Sequence, residues 1–152
     1  MRLACRLCAV AAYLATTMAE PALADATTQS ANALKEAQQA LTASDHDEVN
    51  MHLRHAVNCL AGRDSGYYYA PDGDAGPCTD RASAASQATD YLPKKWLEEA
   101  QIWLSAAQAK SDIQSSHDLA EDAIKLIQKS QAALGGGVVA AGETAAQAKP
   151  PG

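Results

Sequence analysis

The sequence predicts an all-α protein, an up-and-down four-helix bundle built from two helical hairpins. Apolar residues recur at helical rather than alternating spacing along most of the chain. The composition favours helix, rich in Ala, Leu, Gln, Glu and Lys and without Phe. Two stretches also read against each other: Leu34-Lys35-Glu36-Ala37-Gln38-Gln39-Ala40-Leu41 and Leu97-Glu98-Glu99-Ala100-Gln101-Ile102-Trp103-Leu104. Each is followed by a polar turn and a second helical segment, with Ala56-Val57 matching Ala123-Ile124. Two such hairpins bury each other's apolar faces.

Residues 1–24 read as an export signal. Arg2 and Arg6 supply the positive start, Leu7 to Ala19 is apolar but too short to span a bilayer, and Ala22-Leu23-Ala24 fits a small-x-small cleavage pattern. The expected mature start is Asp25, and the expected location is the periplasm. Losing Arg2, Arg6 and Glu20 takes the formal charge from −6 to −7. An acidic chain without basic clusters argues against nucleic acid or an anionic membrane as partner.

The bundle domain is expected over 25–134. Its first helix should run from Thr28 to Ala43 on a Leu34, Ala37, Leu41 stripe. The second should run from Asp47 to Ala61, with Asp45 or His46 near its cap, a stripe of Val49, Leu53, Ala56, Val57 and Leu60, and Gly62 as the stop. A long connection follows from Arg63 to Leu92, irregular through Tyr67, Tyr68 and Tyr69, with a short helix possible between Thr79 and Asp90. Cys59 and Cys78 should pin it by a disulfide, because the export signal implies an oxidising compartment. Asp72-Gly73-Asp74 reads as a turn rather than a calcium loop, lacking regular acidic spacing and a terminal Glu.

Pro93 opens the third helix, which runs to Ser111 with Trp96, Ala100, Trp103 and Ala107 on one face. Both tryptophans are expected in the core. Ser115 with Asp118 suggests a capping box opening the fourth helix, through Leu134. Residues 135–152, rich in Gly, Ala and Pro, read as a disordered tail.

Three of the four histidines lie between positions 46 and 55. On a helical wheel centred on the Leu53 stripe, His52 falls about 100° to one side and His55 about 160°, nearly opposite the core. One turn apart, the two imidazoles could share an ion, and neutral imidazole suits copper, nickel or zinc. Glu48 and Met51 each precede one of these histidines by a turn, while His46 and the distant His117 are further candidates. The affinity of such a site should fall below about pH 6 as the rings protonate. There is no HExxH, no nucleophile elbow and no catalytic constellation, so an enzyme is not expected.

The stretch His46-Asp47-Glu48-Val49-Asn50-Met51-His52-Leu53-Arg54-His55-Ala56-Val57 resembles a repeat unit of the periplasmic small metal-binding proteins. Ser116-His117-Asp118-Leu119-Ala120-Glu121-Asp122-Ala123-Ile124 resembles it more faintly. The resemblance implies an exported helical bundle that takes up divalent transition metals, chiefly copper and nickel, with His52 and His55 as ligands. This chain departs from that pattern in having four histidines where the family has many, a cysteine pair and a Tyr-rich connection. The expected function is a metal buffer, carrier or sensor. The alternative is a cofactor-free module that meets another periplasmic protein through its acidic helical face or the Tyr67–Tyr69 loop.

Overall fold

The computed structural model describes residues 20–136, with side chains described for 26–135. Residues 1–19 of the expected signal (1–24) and residues 137–152 of the expected tail (135–152) lie outside that range. All regular structure among the described residues is helical: α1 (Glu20–Thr42), α2 (His46–Ala61), a 3-10 turn (Pro71–Gly73), α3 (Ala84–Gln87), α4 (Tyr91–Gln108) and α5 (Ile113–Gly136). α1 packs along α2 and α5, and α4 along α5 and α2, while α2 and α5 barely meet. The core lies between these four, built on Val49, Leu53, Leu60, Leu97, Leu104 and Ile127.

α1 begins earlier than the expected Thr28, so the expected cleavage point before Asp25 falls inside it. Pro21 occupies its first turn, where a missing N–H costs nothing. Its buried face is mostly alanine (Ala26, Ala33, Ala37, Ala40), and these small side chains let neighbouring helices come close.

α2 starts where the acidic cluster suggests. Asp45 Oδ1 accepts from the backbone N–H groups of Asp47 at 2.9 Å and Glu48 at 3.2 Å. Two donors that have no partner inside the helix are thereby satisfied. Asp45→Ala is expected to cost about 1 kcal/mol in urea unfolding. Gly62 ends the helix at φ 73°, and a Cβ there would lie 2.5 Å from the Ala82 carbonyl carbon. Only glycine suits both the backbone angle and that approach.

Two sequence expectations need correction in the second half. The buried side of α4 is Pro93, Leu97, Ala100, Leu104 and Ala107, about one position round from the Trp96/Trp103 face. Trp103 is 36% exposed. Trp96 is partly buried, with the Lys129 ammonium 4.4 Å from its ring. α5 is opened by Asp112 rather than by Ser115: Asp112 Oδ1 accepts from the Ser115 N–H at 2.8 Å. That contact lowers the Asp112 pKa, through the Ser115 backbone N–H foremost. Buried Ser116 and Ser130 donate to the Ala107 and Pro93 carbonyls of α4, fastening α4 to α5 by hydroxyls as well as by apolar contact.

The expected disulfide joins Cys59 on α2 to Cys78 in the connection, 19 residues apart. Closing a loop of that size restricts the unfolded chain by roughly 3 kcal/mol. The short helix expected within the connection is α3, capped by the Ser83 hydroxyl. Tyr67 and Tyr69 point largely into solvent, while Tyr68 is half-buried. Among the described residues no helix is long and apolar enough to cross a membrane.

Candidate metal centre

His52 and His55 sit on consecutive turns of α2, with ring centroids 6.3 Å apart and planes nearly perpendicular at 88°. Between them enters Glu36 from α1. Its Oε2 lies 2.8 Å from His52 Nδ1 and 3.3 Å from His55 Nδ1. The three residues offer ligand atoms that all lie within 4.8 Å of one another. Glu36 is 7% exposed and His55 8%, and the His52 side chain is 16% exposed.

The burial of His55 corrects the wheel-based expectation that it faces away from the core. The wheel describes one helix, and the connection covers the side that α2 would otherwise show to water. Asp74 Oδ1 lies 3.0 Å from His55 Nε2, and Arg54 Nη2 donates to the other Asp74 oxygen at 2.7 Å. Gly76, at φ 70°, crosses the ring so closely that a Cβ would lie 2.5 Å from His55 Cγ. The Asp72–Asp74 segment is a turn, as expected, and it delivers this second carboxylate.

Asp74 has its pKa lowered, by the His55 hydrogen bond foremost, with His55 charge, Arg54 and the Gly76 N–H also lowering it and burial opposing them. A lowered carboxyl pKa gives stability that is present above the ordinary value of 3.8. That stability is lost as pH falls through the lowered value.

Among the other sequence candidates, His46, Glu48 and His117 do not join this group of donors. His46 has both ring nitrogens engaged: Nε2 meets the Lys110 carbonyl at 3.1 Å, and Nδ1 meets the Asn50 amide nitrogen at 2.9 Å. The carbonyl can only accept, so Nε2 carries the proton and Nδ1 accepts from Asn50. His46 therefore ties the start of α2 to the turn between α4 and α5. Glu48 is exposed in the first turn of α2, Met51 is half-buried, and His117 is half-buried on α5 with Nε2 unpartnered.

Glu36 is the residue that sequence reasoning missed. A signal was available: it stands three residues after buried Ala33 and four before buried Ala40, a register that calls for an apolar side chain. A carboxylate there needs a partner, because burying it alone is costly. The chemistry of this donor set, two imidazoles and a carboxylate, suits a borderline transition metal better than calcium or magnesium, which prefer oxygen throughout. Compared with known proteins, the chain matches no family model, no curated protein and no solved structure.

Proposed function

We propose that this chain binds one divalent transition-metal ion (copper, nickel or zinc) through Glu36, His52 and His55, and acts as a buffer, carrier or sensor. The observation that carries the reading is Glu36. A buried carboxylate from a second helix converges on a histidine pair already spaced to share an ion. Three protein donors leave room for a further ligand from water or a partner, which suits an ion that is to be passed on. The reading rests on this geometry rather than on the family resemblance. It extends to an exported, periplasmic protein with an up-and-down bundle of two hairpins. In support, the disulfide fits an oxidising compartment.

Calorimetric titration of the purified, untagged chain with Cu(II), Ni(II) and Zn(II) tests the proposal. One ion per chain is expected, with affinity falling below about pH 6 as the imidazoles take up protons. Heats no larger than those of a His52→Ala, His55→Ala double variant would reject it.

A second reading is a cofactor-free interaction module. It is favoured by the exposure of Tyr67 and Tyr69, and of Tyr91, Leu92 and Ile102 at the start and outer side of α4. A partner recovered equally with and without chelator, and lost on replacing the tyrosines, supports it.

A further inference from the structure

The four long helices do not hold His55 by themselves. Its ring lies under the segment between the two half-cystines, and four fastenings keep that segment down. Asp74 takes the His55 Nε2 side at 3.0 Å. Arg54 holds Asp74 from one residue before His55. The Asn58 carboxamide bonds the backbone of Tyr69 and Ala75. The Cys59–Cys78 bond closes the segment immediately after Gly76 and Pro77. The absence of a side chain at Gly76 is what lets this cover sit on the ring.

An imidazole gives an ion the lone pair of one nitrogen and keeps its proton on the other. With Nδ1 facing Glu36 and His52, that proton belongs on Nε2, and Asp74 is the group placed to accept it. An acceptor behind a ligating histidine fixes both tautomer and ring orientation.

We propose that Asp74 is a positioning residue of the metal site, holding His55 with Nδ1 toward the ion, and that the Cys59–Cys78 disulfide keeps Asp74 in place, so that reduction by a dithiol loosens the ion. The inference rests on Glu36, His52 and His55 being the ligands. In the reduction the Sγ–Sγ bond breaks and each cysteine sulfur gains one electron and one proton. The dithiol supplies both and becomes a disulfide. The cover is then left to its polar contacts with Arg54, Asn58 and His55.

The test is the rate at which the Zn(II)-loaded full chain releases zinc to a coloured chelator. Asp74→Ala is expected to release it about 10- to 100-fold faster than the parent chain. Asp74→Asn keeps an oxygen that accepts from Nε2–H and should recover much of the loss. Asp64→Asn, an exposed acid on the same connection, should change nothing. A Cys59→Ala, Cys78→Ala double variant should shift in the same direction as Asp74→Ala. If that variant does not fold, opening the disulfide of the folded parent chain with a water-soluble phosphine replaces it, and zinc release should follow the appearance of thiols.

Ring ¹⁵N spectra give a readout that simple destabilisation would not move. His55 should be Nε2-protonated in the loaded parent chain and mixed between tautomers in Asp74→Ala. Equal release from Asp74→Ala and the parent chain overturns the positioning role. Faster release from Asp74→Ala, with none on opening the disulfide, overturns the disulfide's part. No zinc uptake by the parent chain overturns the ligand assignment, and this inference with it.

Discussion

Replacing Glu36 with leucine is expected to lower metal affinity by about 100-fold or more, at least the upper end of the loss seen when a mere supporting group is removed. The same change should leave the unfolding midpoint of the metal-free protein unchanged, or raise its stability by about 1 kcal/mol. The two effects separate because they have different origins. For the proposed ion, Glu36 would be one donor of three, and the only carboxylate among them. For the metal-free fold, it is a carboxylate at 7% exposure. Among the described residues its desolvation is offset only by contacts to two imidazoles. Buried charged groups often stabilise no more than apolar residues of similar volume. The partners left behind are imidazoles, which unlike a lysine or arginine need carry no charge, and His55 keeps Asp74. Chelator competition and urea unfolding of the same preparation measure both. Unchanged affinity would remove Glu36 from the ligand set. A loss of 3 kcal/mol or more without metal would make the trio a structural network instead.

The histidine pair was legible because its information is local. Positions 52 and 55 on one helix are neighbours whatever the rest of the chain does. The boundaries of α2 followed for the same reason, with Asp45 at one end and Gly62 at the other. Glu36 was hidden because the wheel of α2 carries nothing about α1. Only the register of α1 against its own buried alanines marks that carboxylate as facing inward. The environment of His55 was misread for a related reason: the residues that cover it, Asp74 and Gly76, lie in an irregular stretch with no periodicity to follow. The tryptophans show the limit on α4. Leu97 and Leu104 compete with Trp96 and Trp103 for the interior, and the narrow, alanine-lined spaces between these helices take the slimmer side chain. The hairpin comparison aligned Leu34 with Leu97, and that leucine is fully buried only in the second.

Removing the Asn58 side chain is the second change from which a large effect is expected. Asn58 is 1% exposed. Its amide donates to the Tyr69 and Ala75 carbonyls at 3.0 and 3.2 Å, and its own carbonyl accepts from the Tyr69 N–H at 3.0 Å. Two amide hydrogens and one oxygen are thus matched to two carbonyls and one N–H of the connection. Asn58→Ala leaves all three backbone groups without that partner, and a loss of about 2–4 kcal/mol in urea unfolding is expected. Asn58→Asp is the sharper test because it conserves shape. An ionised carboxylate cannot donate, so both carbonyls would face an acceptor. That variant should be worse than alanine at neutral pH and partly recover in acid, where a protonated oxygen donates once. Since Cys59 fastens the same segment from the next position, the losses from Asn58→Ala and from removing the disulfide should not add. Once either fastening is gone, the segment is already loose, and the other has less order left to defend. A loss under 1 kcal/mol for Asn58→Ala, or strict additivity with the cysteine variant, would mean the connection is held over His55 by Asp74 and Arg54 instead.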